Sequence, residues 1–353
     1  MSTVDRDFWA GKRVLVTGHT GFKGSWLCLW LQSMSAEVFG LSLSPNTQPA
    51  LFTEARVGDT MTSILGDIRD YETVLQAMIT ARPEIVIHMA AQPLVRFSYQ
   101  HPVETYSTNV MGTVHVLEAA RQIGTVKAVV NVTTDKCYEN KELSRGYREE
   151  EPMGGHDPYS SSKGCSELVT SAYRRSFYES AGIALASARA GNVIGGGDWA
   201  IDRLIPDILR AFERNEPVII RNPKAVRPWQ HVLEPLSGYL LLAEHLYKYG
   251  QEYASSWNFG PNNDDAKPVQ WILEQMVEYW GQSPGWQFDD YKHPHEANHL
   301  KLDISKANVG LCWFPSIKLK QALEMTAEWK IAFDLGSNMR TFTLDQITAY
   351  QTR

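Results

Sequence analysis

The chain has 353 residues, too many for one simple core, so two domains or one large two-lobed unit are expected. Hydrophobic residues make up 43% of it and aromatics 11%, enough for a sizeable core. The formal charge of -6 excludes the basic surplus of a dedicated nucleic-acid binder, yet a local cluster of Arg and Lys can still hold an anionic small ligand.

Residues 1–13 have no apolar stretch behind a basic start, and no run approaches the roughly 18 apolar residues of a membrane span. Cys28, Cys137, Cys165 and Cys312 are scattered without a CxxC pair. A cytoplasmic protein with buried, apolar-acting thiols is expected.

In chain order, strands are predicted at Arg13–Thr17, Glu37–Ser42, Met61–Leu65, Glu84–Met89, Lys127–Val132 and Ile183–Ala188. Several are apolar nearly throughout, as parallel strands covered on both faces are. Helical spacing separates them, at Ser25–Met34, Tyr71–Ala81, Pro102–Ile123 and Asp157–Ser180. This alternation predicts an α/β fold with a Rossmann-type doubly wound parallel sheet over 1–190. Past residue 190, Gly191, Gly195, Gly196 and Gly197 mark irregular chain. A helix at Arg203–Asn215, a strand at Pro217–Arg221 and helices at Glu234–Tyr249, Val269–Trp280 and Lys318–Phe333 follow. They predict a smaller mixed α/β lobe over 191–353, some of whose segments return to the first domain.

Directly after the first strand stands Gly18-His19-Thr20-Gly21-Phe22-Lys23-Gly24, opening a helix. One glycine permits the tight turn, one lets backbone approach a pyrophosphate, and one lets helix pack on strand. The unpaired N–H groups of the helix start then face the phosphates. The second strand ends without the acidic residue that usually binds the ribose of NAD, and no Arg follows to receive the extra phosphate of NADP. Ser42 is the weaker ribose partner expected, and NAD of modest affinity the expected cofactor. Asp67, past the third strand, is placed against the adenine amino group or, alternatively, caps a helix, as Asp70 can.

Tyr159 and Lys163, four residues apart, share one face of a helix, where a lysine cation beside an oxidised nicotinamide lowers the phenol pKa toward neutrality. The fifth strand ends in Thr133-Thr134-Asp135-Lys136, and ligands of open α/β sheets bind beyond such carboxyl ends.

With these residues the chain resembles the extended short-chain dehydrogenase/reductase superfamily, and within it the nucleotide-sugar 4,6-dehydratases. The resemblance covers nearly the whole chain: Thr17–Gly24, Gly66–Asp70, His88–Ala91, Asn109 with Gly112-Thr113, Tyr159/Lys163, Gly191–Val193 and Leu302–Ala307 leading to Leu311–Pro315. Phe22, Lys23, Ile68 and Ala90 are thereby added as cofactor-lining candidates. Most hexose members carry Glu after Thr-Asp; Lys136 in that place, with Gly195–Trp199, looks like the CDP-glucose 4,6-dehydratases.

The resemblance implies that Tyr159, helped by Thr134, takes the C4 hydroxyl proton while C4 passes hydride to NAD+. Asp135 protonates the departing C6 hydroxyl, a base removes the C5 proton, and hydride returns to C6. Lys136 is that base if burial or cationic neighbours neutralise it; otherwise it stabilises the enolate as a cation. A 4-epimerase or ketoreductase on the same scaffold would share Tyr159 and Lys163 but need no Asp135–Lys136 pair. Arg227, in Arg227–Val232, resembles the family's diphosphate-binding segment. Arg203 and Asn192 are further substrate candidates, and Val218–Arg221 is expected beside the nucleobase. His293, His295 and His299 read as a substrate-side loop, because no cysteine stands near enough to complete a zinc site. By analogy with relatives, which mostly serve bacterial surface polysaccharides such as lipopolysaccharide, the helices at Pro102–Ile123 and Asp157–Ser180 form a homodimer interface.

Overall fold

The computed structural model describes residues 3–281, 284–289 and 300–353. Seven parallel strands form one sheet: β1 (Arg13–Thr17), β2 (Glu37–Ser42), β3 (Thr62–Leu65), β4 (Ile85–His88), β5 (Ala128–Val132), β6 (Ala184–Ala190) and a last strand, Ser256–Phe259. The last strand lies outside β6, and the order across the sheet is then β6-β5-β4-β1-β2-β3. The order reverses between β1 and β4, the switch point at which such sheets open a crevice. Every residue of β4, β5 and β6 is buried. Helices cover both faces, and so these strands have no side facing water.

One face packs the helices Tyr71–Ala81 and Gly112–Ile123 through Val74, Met78, Val116 and Leu117. The other carries the larger core, built from the helices Phe22–Ser33, Leu233–Tyr249 and Leu319–Asp334. Helix Phe22–Ser33 has no polar stripe, because Trp26, Leu27, Cys28, Leu29, Trp30 and Leu31 are all fully buried. A helix apolar all round belongs in an interior. It is overlaid by a helix that sequence periodicity did not predict, Met339–Gln351, whose Tyr350 meets Trp30 edge-on.

Two predicted helices are not continuous. Between Pro102–Tyr106 and Gly112–Ile123 lies a π-helical stretch, Ser107–Met111, and a second, Arg174–Tyr178, follows Pro158–Tyr173. Such widened turns accommodate a side chain that regular spacing would misplace. In the first that residue is Asn109, buried and bonded to the Gln92 backbone and to Ser162 Oγ at 2.9 Å.

Beyond Gly191 the chain leaves the sheet. Strand β7 (Asn192–Ile194) pairs in parallel with Val226–His231, which pairs antiparallel with Ala266–Pro268. The strand expected at Pro217–Arg221 runs over Val218–Ile220, beside Trp286–Phe288. These small sheets stand past the carboxyl ends of β5 and β6 and form the far wall of the crevice. Of the cysteines, Cys28 and Cys137 are buried as expected, Cys165 is half-buried, and Cys312 is exposed.

Candidate active site

The glycine-rich turn has no room for a side chain at two of its three glycines. Gly18 has φ +78°, and a Cβ there would stand 2.8 Å from the Ala90 nitrogen. A Cβ on Gly24 would stand 2.1 Å from the Gly18 oxygen, closer than any real contact. Around Gly21 only that same oxygen comes within reach, at 3.4 Å. Helix Phe22–Ser33 has no side-chain cap and no acidic residue in its first turn, so its leading N–H groups suit a phosphate. The chain therefore fits a dinucleotide at this turn. Ser42 is not idle: its hydroxyl meets Thr20 Oγ1 at 2.8 Å. Asp70, not Asp67, caps the following helix, accepting from the Glu72 N–H. The Asp67 carboxylate instead holds the backbone and guanidinium of Arg69. Ile68 is buried, its side chain occupying the space left by Gly112.

Behind this turn runs a buried polar network. Thr17 Oγ1 accepts from the N–H groups of Met89 and Ala90, which leaves its own proton for His88 Nδ1, 2.6 Å away. His88 Nε2 then carries the ring proton and gives it to Thr113 Oγ1, which donates to the Asn109 carbonyl. Burial lowers His88 to about 3, consistent with a neutral ring.

Tyr159 and Lys163 sit on the helix Pro158–Tyr173, started by Asp157, whose carboxylate accepts from the Ser160 N–H at 2.9 Å. Pro158 in the first turn gives up no bond the helix needs. Lys163 is buried and donates to the Val132 carbonyl at 3.2 Å; burial lowers it to about 8, while Glu167 opposes. The chain's own charges do not make the phenol acidic as expected. Burial pushes Tyr159 up to about 12, against which act a Thr134 hydrogen bond and the Arg203 charge.

Asp135 is 2% exposed and accepts from the Thr134 hydroxyl at 3.0 Å. Lys136 Nζ lies 3.5 Å from its carboxylate, with the lysine side chain 34% exposed. Of the two conditions for a neutral Lys136, burial or cationic neighbours, the first is missing, and an ion pair with Asp135 is present instead. Below the pair, Thr133 donates to Glu167, which also receives Ser187 and Arg189; Glu167 and Arg189 are both 3% exposed.

Thr134, Asp135, Lys136 and Tyr159 border one cleft of about 680 Å³. It is lined by Thr134, Asp135, Lys136 and Tyr159, by Phe22 and Lys23 from the glycine turn, and by Asn192, Arg203 and Arg227. Val218, Ile219, Ile220 and Arg221 line it as well. Gly18, Gly21, Gly24, Ser42, Asp67, Ile68, Ala90 and Lys163 lie outside this lining. Arg203 is held by Asp198 at 2.8 Å. Lys23 is lowered to about 7, by burial first and then by the charges of Arg203 and Lys163. Sequence reasoning missed Arg96, Glu139, Glu142, His156 and Asp202, which also line the cleft from loops whose proximity has no local signature. Among the described lining residues, six are cationic (Lys23, Arg96, Lys136, Arg203, Arg221, Arg227) and seven are carboxylates (Asp135, Glu139, Glu142, Asp157, Asp198, Asp202, Asp207). The cleft thus has no formal positive excess. His293, His295 and His299 lie outside the described residues.

The family model described as GDP-mannose 4,6 dehydratase matches residues 15–326. The chain is 57% identical over 354 aligned positions to the CDP-glucose 4,6-dehydratase of Salmonella typhimurium, covering 99% of each. It is 25% identical to the human dTDP-D-glucose 4,6-dehydratase, over 90% of this chain and 89% of that one. In fold it resembles a dTDP-glucose 4,6-dehydratase of Streptomyces venezuelae solved with NAD (TM-score 0.79, 23% identity, 92% and 98% covered). It resembles equally a UDP-glucose 4-epimerase of Thermotoga maritima (TM-score 0.78, 22% identity, 91% and 99% covered). The backbone alone therefore does not separate the two chemistries. The residues beyond β5 must do so.

Proposed function

The chain belongs to the GDP-mannose 4,6-dehydratase family, and on that footing we propose that it dehydrates CDP-D-glucose to CDP-4-keto-6-deoxy-D-glucose with NAD as a recycled cofactor. The observation that carries this reading is the meeting of Tyr159, Thr134, Asp135 and Lys136 in one cleft bordered by the glycine turn. An epimerase has use for the phenol but none for the acid–amine pair.

Gly18, Gly21, Phe22, Lys23 and Gly24 would hold the dinucleotide, with Ser42, Asp67, Ile68, Ala90, Tyr159 and Lys163 as further binding residues. Bound there, it would supply a hydride acceptor for C4 and a hydride donor for C6. Tyr159 takes the C4 hydroxyl proton, and Thr134, turning its hydroxyl from Asp135 to the phenolate, holds it in line. Asp135 and Lys136 as an ion pair contain as many protons as a carboxylic acid beside a neutral amine. Shifting one proton across the 3.5 Å contact yields the acid and the base that elimination needs. Lys136 then takes the C5 proton, Asp135 gives its proton to the C6 oxygen, and water departs. The ion pair is restored by the same step.

Arg227, Arg203 and Asn192 bind the nucleotide sugar, the arginines because a planar fork grips phosphate oxygens. Residues 1–190 carry the dinucleotide, and 191–353 mainly carry the nucleotide sugar. A homodimer is supported by apolar exposure on two neighbouring helical stretches, where Val103 is 82% and Leu168 62% exposed, with Met111 and Phe177 nearby in sequence. Four free cysteines suit the reducing cytoplasm.

Incubation with CDP-, dTDP-, GDP- and UDP-hexoses and NAD+ tests the reading. CDP-glucose should give a 4-keto-6-deoxy product without accumulating NADH. Turnover of another nucleotide with CDP-glucose inert overturns the specificity, and a C4 epimer as product overturns the reaction.

A further inference from the structure

At the mouth of the cleft, three charged side chains from separate parts of the chain meet. Arg96 comes from the short helix Val95–Gln100, Asp202 from the turn before helix Leu204–Arg214, and Arg221 from the end of strand Val218–Ile220. Arg96 Nη1 stands 2.8 Å from Asp202 Oδ1, and Arg221 Nη2 stands 3.8 Å from the same oxygen. All three line the cleft and are partly exposed to it. Asp202 adopts φ +60°, a left-handed conformation that costs a residue with a Cβ and that the loop tolerates here. The bridge also joins the segment that follows β4 to the chain beyond residue 191.

A nucleotide diphosphate is polyanionic, yet the cleft has one more carboxylate than cations among its described lining. A phosphate that takes Arg96 and Arg221 must compete with Asp202 for them. We propose that Asp202 is an internal stand-in for the substrate's diphosphate: it occupies Arg96 and Arg221 until the nucleotide enters, and the phosphate oxygens then displace it. This rests on the reading of the cleft as a nucleotide-diphosphosugar site. Arg96 and Arg221 thereby become substrate-binding residues, and Asp202 a competitor that sets how tightly the substrate is held.

Exchange of one carboxylate for a phosphate at partly exposed arginines changes affinity by the worth of a surface ion pair, about two- to fivefold. Asp202→Asn should therefore lower the Kd of CDP, measured by calorimetry, and the KM of CDP-glucose by that factor. Asp202→Gly, which suits the positive φ, should do the same and guards against a misfolded Asn variant. Arg96→Gln should raise both constants, and adding Asp202→Asn to it should then give less than the gain seen in the parent. Weaker CDP binding in both Asp202 variants overturns the proposal, as does an undiminished gain in the Arg96→Gln background. Turnover of CDP-glucose by the parent protein tests the underlying reading separately.

Discussion

The buried ion pair of Glu167 and Arg189, near the carboxyl end of β5, sets up a quantitative test. The Glu167 carboxylate accepts from Arg189 Nη2 at 2.8 Å, Ser187 Oγ at 2.7 Å and Thr133 Oγ1 at 2.5 Å. Glu167→Gln keeps the shape but removes the charge, leaving the Arg189 guanidinium buried without its counter-ion. Breaking such a pair costs about 3–5 kcal/mol. The Gln oxygen can still serve Arg189 and a hydroxyl can turn to accept from its amide, so the lower end, about 3 kcal/mol, is expected. That is a large share of the roughly 5–15 kcal/mol by which domains are stable. Glu167→Gln with Arg189→Met removes both charges and should recover most of the loss, because the Tyr138 hydroxyl keeps its bond to Asn258 at 2.8 Å. Urea unfolding followed by fluorescence, compared at equal slope, measures both. A single variant within about 1 kcal/mol of the parent, or a double variant no more stable than the single, refutes the reasoning.

Other perturbations bear on chemistry and pH. Lys136→Ala should keep C4 oxidation, seen as transient reduced nicotinamide, and lose water elimination by about a hundredfold or more; elimination at the parent rate refutes the base role. Tyr159→Phe should show no such transient, its single-turnover oxidation falling by a similar factor. Gly24→Ala, with its methyl 2.1 Å from the Gly18 oxygen, should abolish NAD binding by calorimetry while the protein still unfolds cooperatively. Glu244, buried against Trp9 Nε1 and the Asp5 N–H, is raised to about 7, chiefly by burial. A carboxyl raised in the folded state favours folding below its unfolded pKa, and that contribution is lost as pH rises through about 7. Glu244→Gln keeps both bonds, so it should match the parent near pH 4 and exceed it by up to about 3 kcal/mol near pH 8, in urea midpoints taken across that range.

The parallel strands were legible because residues such as Val129 and Val130, or Val86 and Ile87, are apolar on both sides of the chain. The glycine turn was legible because Gly24 meets the Gly18 oxygen, a contact within the motif, whereas the approach of Gly18 to Ala90 needs the segment after β4. Tyr159 and Lys163 were readable as helix neighbours, and Lys163-x3-Glu167 had the same form, but nothing local tied Glu167 to Arg189 and Ser187 on a distant strand. The π-helical stretch at Ser107–Met111 left no mark, since its cause, Asn109 reaching Ser162, is a contact over 53 residues of sequence. Helix Met339–Gln351 was hidden because its buried face mixes Met339, Thr343, Gln346 and Ile347 and so has weak periodicity. The roles given to Ser42 and Lys136 met competitors: Thr20, which folding brings to Ser42, and Asp135, the chain neighbour that pairs with Lys136.

That helix also ties distant stretches of chain together. Tyr350 donates to Glu234 and packs on Trp30, while Arg340 bonds Gln32, Thr60 and the carbonyl of Arg56. The nucleotide-side helix is made early during synthesis, but its cover arrives some 300 residues later. A ribosome-bound chain must therefore carry that apolar helix unfinished, with its tryptophans available to chaperones, until residues 339–351 emerge.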